Sequence, residues 1–117
     1  MARTALTKTT APGAYPTDGV VVSFDAADAV NLNKFPMTGR ELVIAYNSDV
    51  ASHNVTITSV ADEKGRTGDI TSDAIAAGAY HVYGPFTNKA GWAQSDGSLS
   101  LEADDATVKF AVVQLPA

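Results

Sequence analysis

The sequence predicts an all-β fold: a small single-domain β-sandwich or jelly-roll-like barrel with an extended N-terminal arm. Three observations carry this. Apolar and polar residues alternate in several short runs, the period of a strand with one buried face. Gly, Pro, Asn and Asp separate these runs at spacings of roughly 8 to 15 residues, the rhythm of sandwiches and barrels. The chain has 117 residues, 45% of them hydrophobic and 18% charged, which suffices for one hydrophobic core and not for two.

Residues 1–18 differ from the rest. They are rich in Thr, Ala, Pro and Gly, with Leu6 and Tyr15 as sizeable apolar side chains, and Pro12, Gly13 and Pro16 oppose a helix or a central strand. The segment is expected to be an arm outside the folded domain, which then spans 19–117. Such an arm cannot bury a core alone, so ordering it requires contacts with something else. Its charges before Asp18 are Arg3 and Lys8, both positive in a chain of net charge −5. That makes Arg3, Leu6, Lys8 and Tyr15 candidate partner-binding residues.

From Gly19 onward the alternation is continuous enough to place elements. Val20, Val22 and Phe24 share one face of a predicted strand, and Asp25–Asn33 follows as a polar loop. Phe35, Pro36 and Gly39 read as turn residues. The run Glu41–Tyr46 has apolar side chains on both faces, Leu42, Ile44 and Tyr46 against Val43 and Ala45, which predicts a strand inside a sheet. In Asn54–Val60, Val55 and Ile57 alternate with threonines that should face water. The segment Asp62–Asp69 (DEKGRTGD) is an exposed charged loop. Ile70–Ile75 is a short strand or a helical turn. Further strands are expected at Tyr80–Tyr83, ended by Gly84 and Pro85, at Ser98–Glu102, and at Thr107–Leu115, again apolar on both faces. The predicted core includes Ile44, Ile57, Phe110 and Val112.

Several function classes are excluded by composition. Net negative charge opposes nucleic-acid binding, which needs clustered Lys and Arg. Partners are expected to be neutral or basic proteins. The longest apolar runs are far short of the roughly 20 residues that span a bilayer, and the first residues lack the apolar stretch of a secretory leader. Neither membrane insertion nor export by that route is expected. No cysteine is present, so disulfides and thiolate ligands contribute nothing.

The residues that could carry chemistry are few. His53 and His81 lie in no zinc-type spacing and are expected at the surface. Asp25, Asp28, Asn31 and Asn33 are oxygen-rich, as a Ca²⁺ site requires, yet lack the glycine that turns such loops, so a solvated loop is the simpler account. In the 62–69 loop, Lys64 and Arg66 offset the acids, and the glycines there do not follow a phosphate-loop pattern. With no nucleophile–base pair, catalytic carboxylate pair or metal cluster apparent, the reading is non-enzymatic, with no cofactor. Trp92, near Tyr80, Tyr83 and Phe86, is either a plug for the end of the sandwich or an aromatic platform for a sugar or protein partner.

An extended Thr/Ala/Pro-rich segment before a β-sandwich carrying VVVSFDAAD, RELVIAYNSD, NVTITSVADEKGRTGDI and TVKFAVVQLP resembles the small head-decoration, or cement, proteins of tailed bacteriophages and related accessory virion proteins. The resemblance covers most of the chain and is one of architecture. It implies a structural protein on the capsid surface of a virion, made in the host cytoplasm. Such a protein bridges neighbouring subunits of the major capsid protein, or another virion protein, as a homo-oligomer, with a trimer favoured. A carbohydrate-binding or adhesion module, or a phage tail or connector component, shares the same sandwich.

Overall fold

The computed structural model describes residues 3–13, 18–61 and 63–116. In them ten strands and one helical turn build two mixed sheets. The first sheet runs β1 (Thr4–Ala5), β4 (Asn33–Pro36), β9 (Ser98–Ala103), β6 (His53–Thr58), β7 (Ile70–Ile75). The second runs β2 (Lys8–Thr10), β10 (Val108–Gln114), β5 (Glu41–Asn47), β8 (Tyr80–Tyr83), and β3 (Asp25–Ala26) lies beside β2 against the same flank of β10. No ladder joins the two sheets, so the fold is an open sandwich and not a closed barrel. The helical turn α1 (Lys89–Trp92) caps one end.

β5 and β10 pair antiparallel over seven residues each, and β8 extends them through Val43 opposite Tyr83 to Tyr46 opposite Tyr80. The period of two then decides what is inside. Val43, Ala45, Phe110 and Val112 point inward with no exposed surface, against Phe35, Val55, Ile57, Leu99 and Leu101 of the first sheet. Ile44 belongs to the other phase. With Leu42 and Tyr46 it lies half-buried on the outer face, which corrects its place in the predicted core. Phe35 corrects another expectation: it is the fully buried centre of β4 and no turn residue. At the end of β8 the chain must double back tightly. Gly84 (φ 95°) allows this, because a Cβ there would lie 2.9 Å from the Phe86 backbone nitrogen, and Phe86 enters the core as its N–H donates to the Glu41 carbonyl.

The arm does not stand outside the domain. β1 runs parallel to β4 as an edge of the first sheet, β2 runs parallel to β10 as an edge of the second, and Leu6, 6% exposed, drops into the core between them. Burying a leucine stabilises by about 1.5–3 kcal/mol, so this composition needed only one anchor. The opposite side is closed the same way, by β7 in one sheet leading into β8 in the other. Residues 14–17, including Tyr15, lie outside the described residues.

Lys8 fixes the crossing. Its Nζ lies 2.7 Å from Oε2 of Glu41, a carboxylate with no exposed surface. The Thr38 hydroxyl and the Thr38, Gly39 and Arg40 N–H groups donate to the same carboxylate. Burial alone would raise the Glu41 pKa; the Lys8 and Thr38 bonds overrule it and hold it at about 2. Because the folded value lies below the ordinary 4.5, this contribution is complete above pH 4.5 and is lost as pH falls through about 2. Its size is roughly 3 kcal/mol. Lys8→Met, which strands the buried carboxylate, should lower unfolding free energy by about 3 kcal/mol in urea titrations at pH 7, and the difference from wild type should shrink below pH 4. Ile57→Ala should cost about 2–5 kcal/mol in the same assay.

Candidate binding surface

The outer faces of the two sheets are chemically opposite. On the first sheet the outward side chains include Lys34, Asn54, Thr56, Thr58 and Glu102, a polar set suited to water. Apart from Lys109, opposite Tyr46, the second sheet is apolar outside as well as inside. Leu42, Ile44 and Tyr46 of β5 lie beside Tyr80 and Val82 of β8 and Ala111 and Val113 of β10. Strands with two apolar faces belong where both faces are covered. Here the cover is partial.

Part of it comes from the segment before β3. The predicted strand Val20–Phe24 joins no ladder. Its place beside β10 is taken by β2: the Ser23 N–H donates to the Thr9 hydroxyl of β2 at 3.5 Å, and Phe24 reaches over the outer face. The Phe24 ring lies 6.4 Å edge-on from Tyr80, which stacks on Tyr46 at 4.3 Å. The alternation read from the sequence survives: Val20, Val22 and Phe24 are 41–49% exposed, whereas Val21 between them is 84% exposed. Tyr80 and Val82 remain 60% and 63% exposed. These six residues are all at least 41% exposed, a concentration of open apolar side chains of the kind that marks an interaction surface.

The residues singled out from the sequence fall elsewhere. Arg3 donates to the Asn33 and Leu101 carbonyls at 3.2 Å, Leu6 is core, and Lys8 is held by Glu41. All three are turned into their own domain, because the arm is an edge strand of each sheet. Tyr15 lies outside the described residues. Trp92 meets Phe86 edge-on at 5.1 Å and packs on the core. It also lines a groove of about 290 Å³ between α1 and the loop after β6, beside a second of about 400 Å³ that includes Glu63, Arg66 and Asn88. The base of that loop is fastened by Ser59, whose N–H and hydroxyl both donate to Asp69 at 2.7 Å, and by Val60 donating to the Gly91 carbonyl.

In the 25–33 loop the carboxylates serve the chain itself. Asp28 accepts from the Val30 and Asn31 N–H groups and from Thr4, and Asp25 accepts from the Thr7 N–H. The Asn31 backbone bond, ahead of the Thr4 hydroxyl, draws the Asp28 pKa down. The two histidines, expected to be plain surface residues, are both engaged. His81 turns to the opposite side from Tyr80 and Val82, and its Nδ1 lies 2.9 Å from Asp73, which also accepts from the Tyr83 hydroxyl at 2.6 Å. Burial, then Asp73, pushes the Tyr83 pKa up. His53 sits between two turns, Nε2 at 2.7 Å from Asp49 and Nδ1 at 2.9 Å from Asp104. Among the described residues no His, Cys, Asp and Glu group is disposed to hold a metal ion.

No family model, curated protein or solved structure matches this chain.

The His53 clamp carries a pH dependence. Both ring nitrogens face carboxylates, and only the imidazolium donates from both. The Asp49 bond, then Asp104, raises the His53 pKa above 6.5 against some desolvation, with Asp105 adding to the pull. A raised histidine stabilises in full below its unfolded value and loses that contribution as pH rises through the folded one. The thermal midpoint of the wild type should therefore fall as pH is raised above 6.5. His53→Gln should start lower and follow a flatter curve across that interval; parallel curves would remove the clamp's role.

Proposed function

We propose that this chain is a non-enzymatic assembly protein that docks on a repeated protein shell, in the manner of a phage capsid decoration protein bridging neighbouring capsid subunits. The observation that carries the reading is the outer face of the second sheet, largely apolar across three strands and only partly covered by Phe24. An apolar patch of this kind on a small domain marks an interaction surface. The partner it fits is flat, apolar at its centre and neutral or basic at its rim, since the chain's net charge is −5. The major capsid protein of a virion, or another virion protein, is such a partner, and the opposite polar face would then look to solvent. A protein that binds only the assembled shell stabilises it by mass action.

A second reading is favoured by one feature, the groove beside Trp92 and Asn88, which offers an aromatic edge with amide and charged groups, as a carbohydrate site does. Glycan binding lost in Trp92→Ala would support it.

The docking reading is tested by co-sedimentation with purified capsids lacking the protein and by their disruption temperature. Val21→Glu places a charge on the apolar segment that leads into Phe24, at a side chain 84% exposed, so folding stability should stay within about 0.5 kcal/mol. Shell affinity should drop at least tenfold, and the added protein should no longer raise the disruption temperature. Equal binding by wild type and Val21→Glu, or no binding by either, overturns the assignment.

A further inference from the structure

A sandwich of two open sheets has four edges, and an unprotected edge invites another strand. Three of the four edges here are blunted. β1 is two residues long and follows Arg3. β2 carries Lys8 and is followed by Pro12 within the same extended segment. β7 is irregular: the register shifts opposite Val55 and Ile57, Ser72 takes a positive φ of 50°, and Asp73 follows. β8 is followed by Pro85 at the same spacing, but it carries no charge and no irregularity. It is regular over its four residues, Tyr80, His81, Val82 and Tyr83, and contains no Asp, Glu, Lys or Arg.

We propose that β8 is a seam at which two copies of this chain pair, antiparallel about a twofold axis through His81, continuing the second sheet from one protomer into its partner. The register follows from the pleat, because residues directly opposite one another must share a face. A twofold through His81 sets Tyr80 opposite the partner's Val82, an aromatic against a β-branched side chain, the favourable kind of cross-strand pair. It also joins the two apolar outer faces into one surface. A second copy fits this edge better than a charged foreign strand, since β8 offers no charge to recruit one and is complementary to itself. A threefold ring, which the resemblance implies, would need β8 to meet a different edge, and each of the others is blunted. Area sets the strength. The exposed parts of Tyr80, Val82 and neighbouring Phe24 amount to less than half of the roughly 800 Å² that each partner gives to a standard interface. Main-chain ladder bonds must supply the remainder, so the pair belongs in the micromolar range.

The inference does not depend on what the outer face meets. It is tested by sedimentation equilibrium of the full chain over a series from roughly 1 μM to 1 mM, with hydrogen exchange at the two extremes. Wild type should shift from monomer to dimer, and the Tyr80 and Val82 amides, which point away from β5, should gain protection as it does. Val82→Lys puts a charge on the edge at a side chain already 63% exposed; it should weaken dimerisation at least tenfold with an unchanged thermal midpoint. Val82→Thr should retain the dimer. A monomer throughout, a trimer, or a dimer indifferent to Val82→Lys overturns the seam. A monomer that still co-sediments with capsids overturns the seam alone and leaves the docking face intact.

Discussion

A carboxylate cut off from water is tolerable only where its partners arrive together, and Glu41 is such a group. Its oxygens receive a lysine from the start of the chain and a hydroxyl and backbone N–H groups from the turn before β5. Were β2 to leave, the carboxylate would remain behind with its desolvation cost uncompensated. The first residues are thus committed to the second sheet by electrostatics and, through Leu6, to the core by the hydrophobic effect. The same seven residues hold both sheets, so the separation and relative placement of the two layers are set from that flank. On the other flank the β7-to-β8 passage has the same task, with Asp73 binding His81 and Tyr83 across it.

With both flanks closed by crossing strands, the sandwich retains two large surfaces, and their chemistry divides the labour. The first sheet can rest in water indefinitely. The second has a largely hydrophobic exterior on β5 and β10, its two central strands, and Phe24 reaching over it. Covering that face with chain from the same molecule would have required a further strand or helix. Leaving it open costs solubility, which the net negative charge helps to maintain.

The central strands were legible in the sequence because their two apolar faces are unambiguous, as were β6, β8 and β9. Which face of β5 is interior was not, because Val43 and Ile44 are equally apolar and only pairing with β10 and β8 decides. The N-terminal segment misled for a related reason. Strand propensity in KTT or RTA is unremarkable by itself, and burial of one leucine and one lysine is a tertiary fact with no local pattern. Val20–Phe24 shows the converse error, since its alternation is real yet its edge position had been taken by β2. The apolar outer face was half-visible in the observation that β5 and β10 are two-sided; what the sequence alone withholds is that, among the described residues, only Phe24 is seen to reach over them. Of the histidine contacts, His53 to Asp104 joins residues 51 positions apart, and no spacing rule reaches that far.

One consequence of the topology concerns time. β10, the strand that links β2 and β3 to β5, comes last in chain order, and its partners begin with residue 8. A ribosome releasing this chain would expose β5 without its long ladder until Val108–Gln114 had followed it out. Contacts of such wide sequence separation form late and slowly. The apolar strands would wait unpaired in the interval, a state open to wrong pairings between nascent chains. Synthesis order and sheet order are thus nearly opposed in the second sheet, whose long ladder waits for β10.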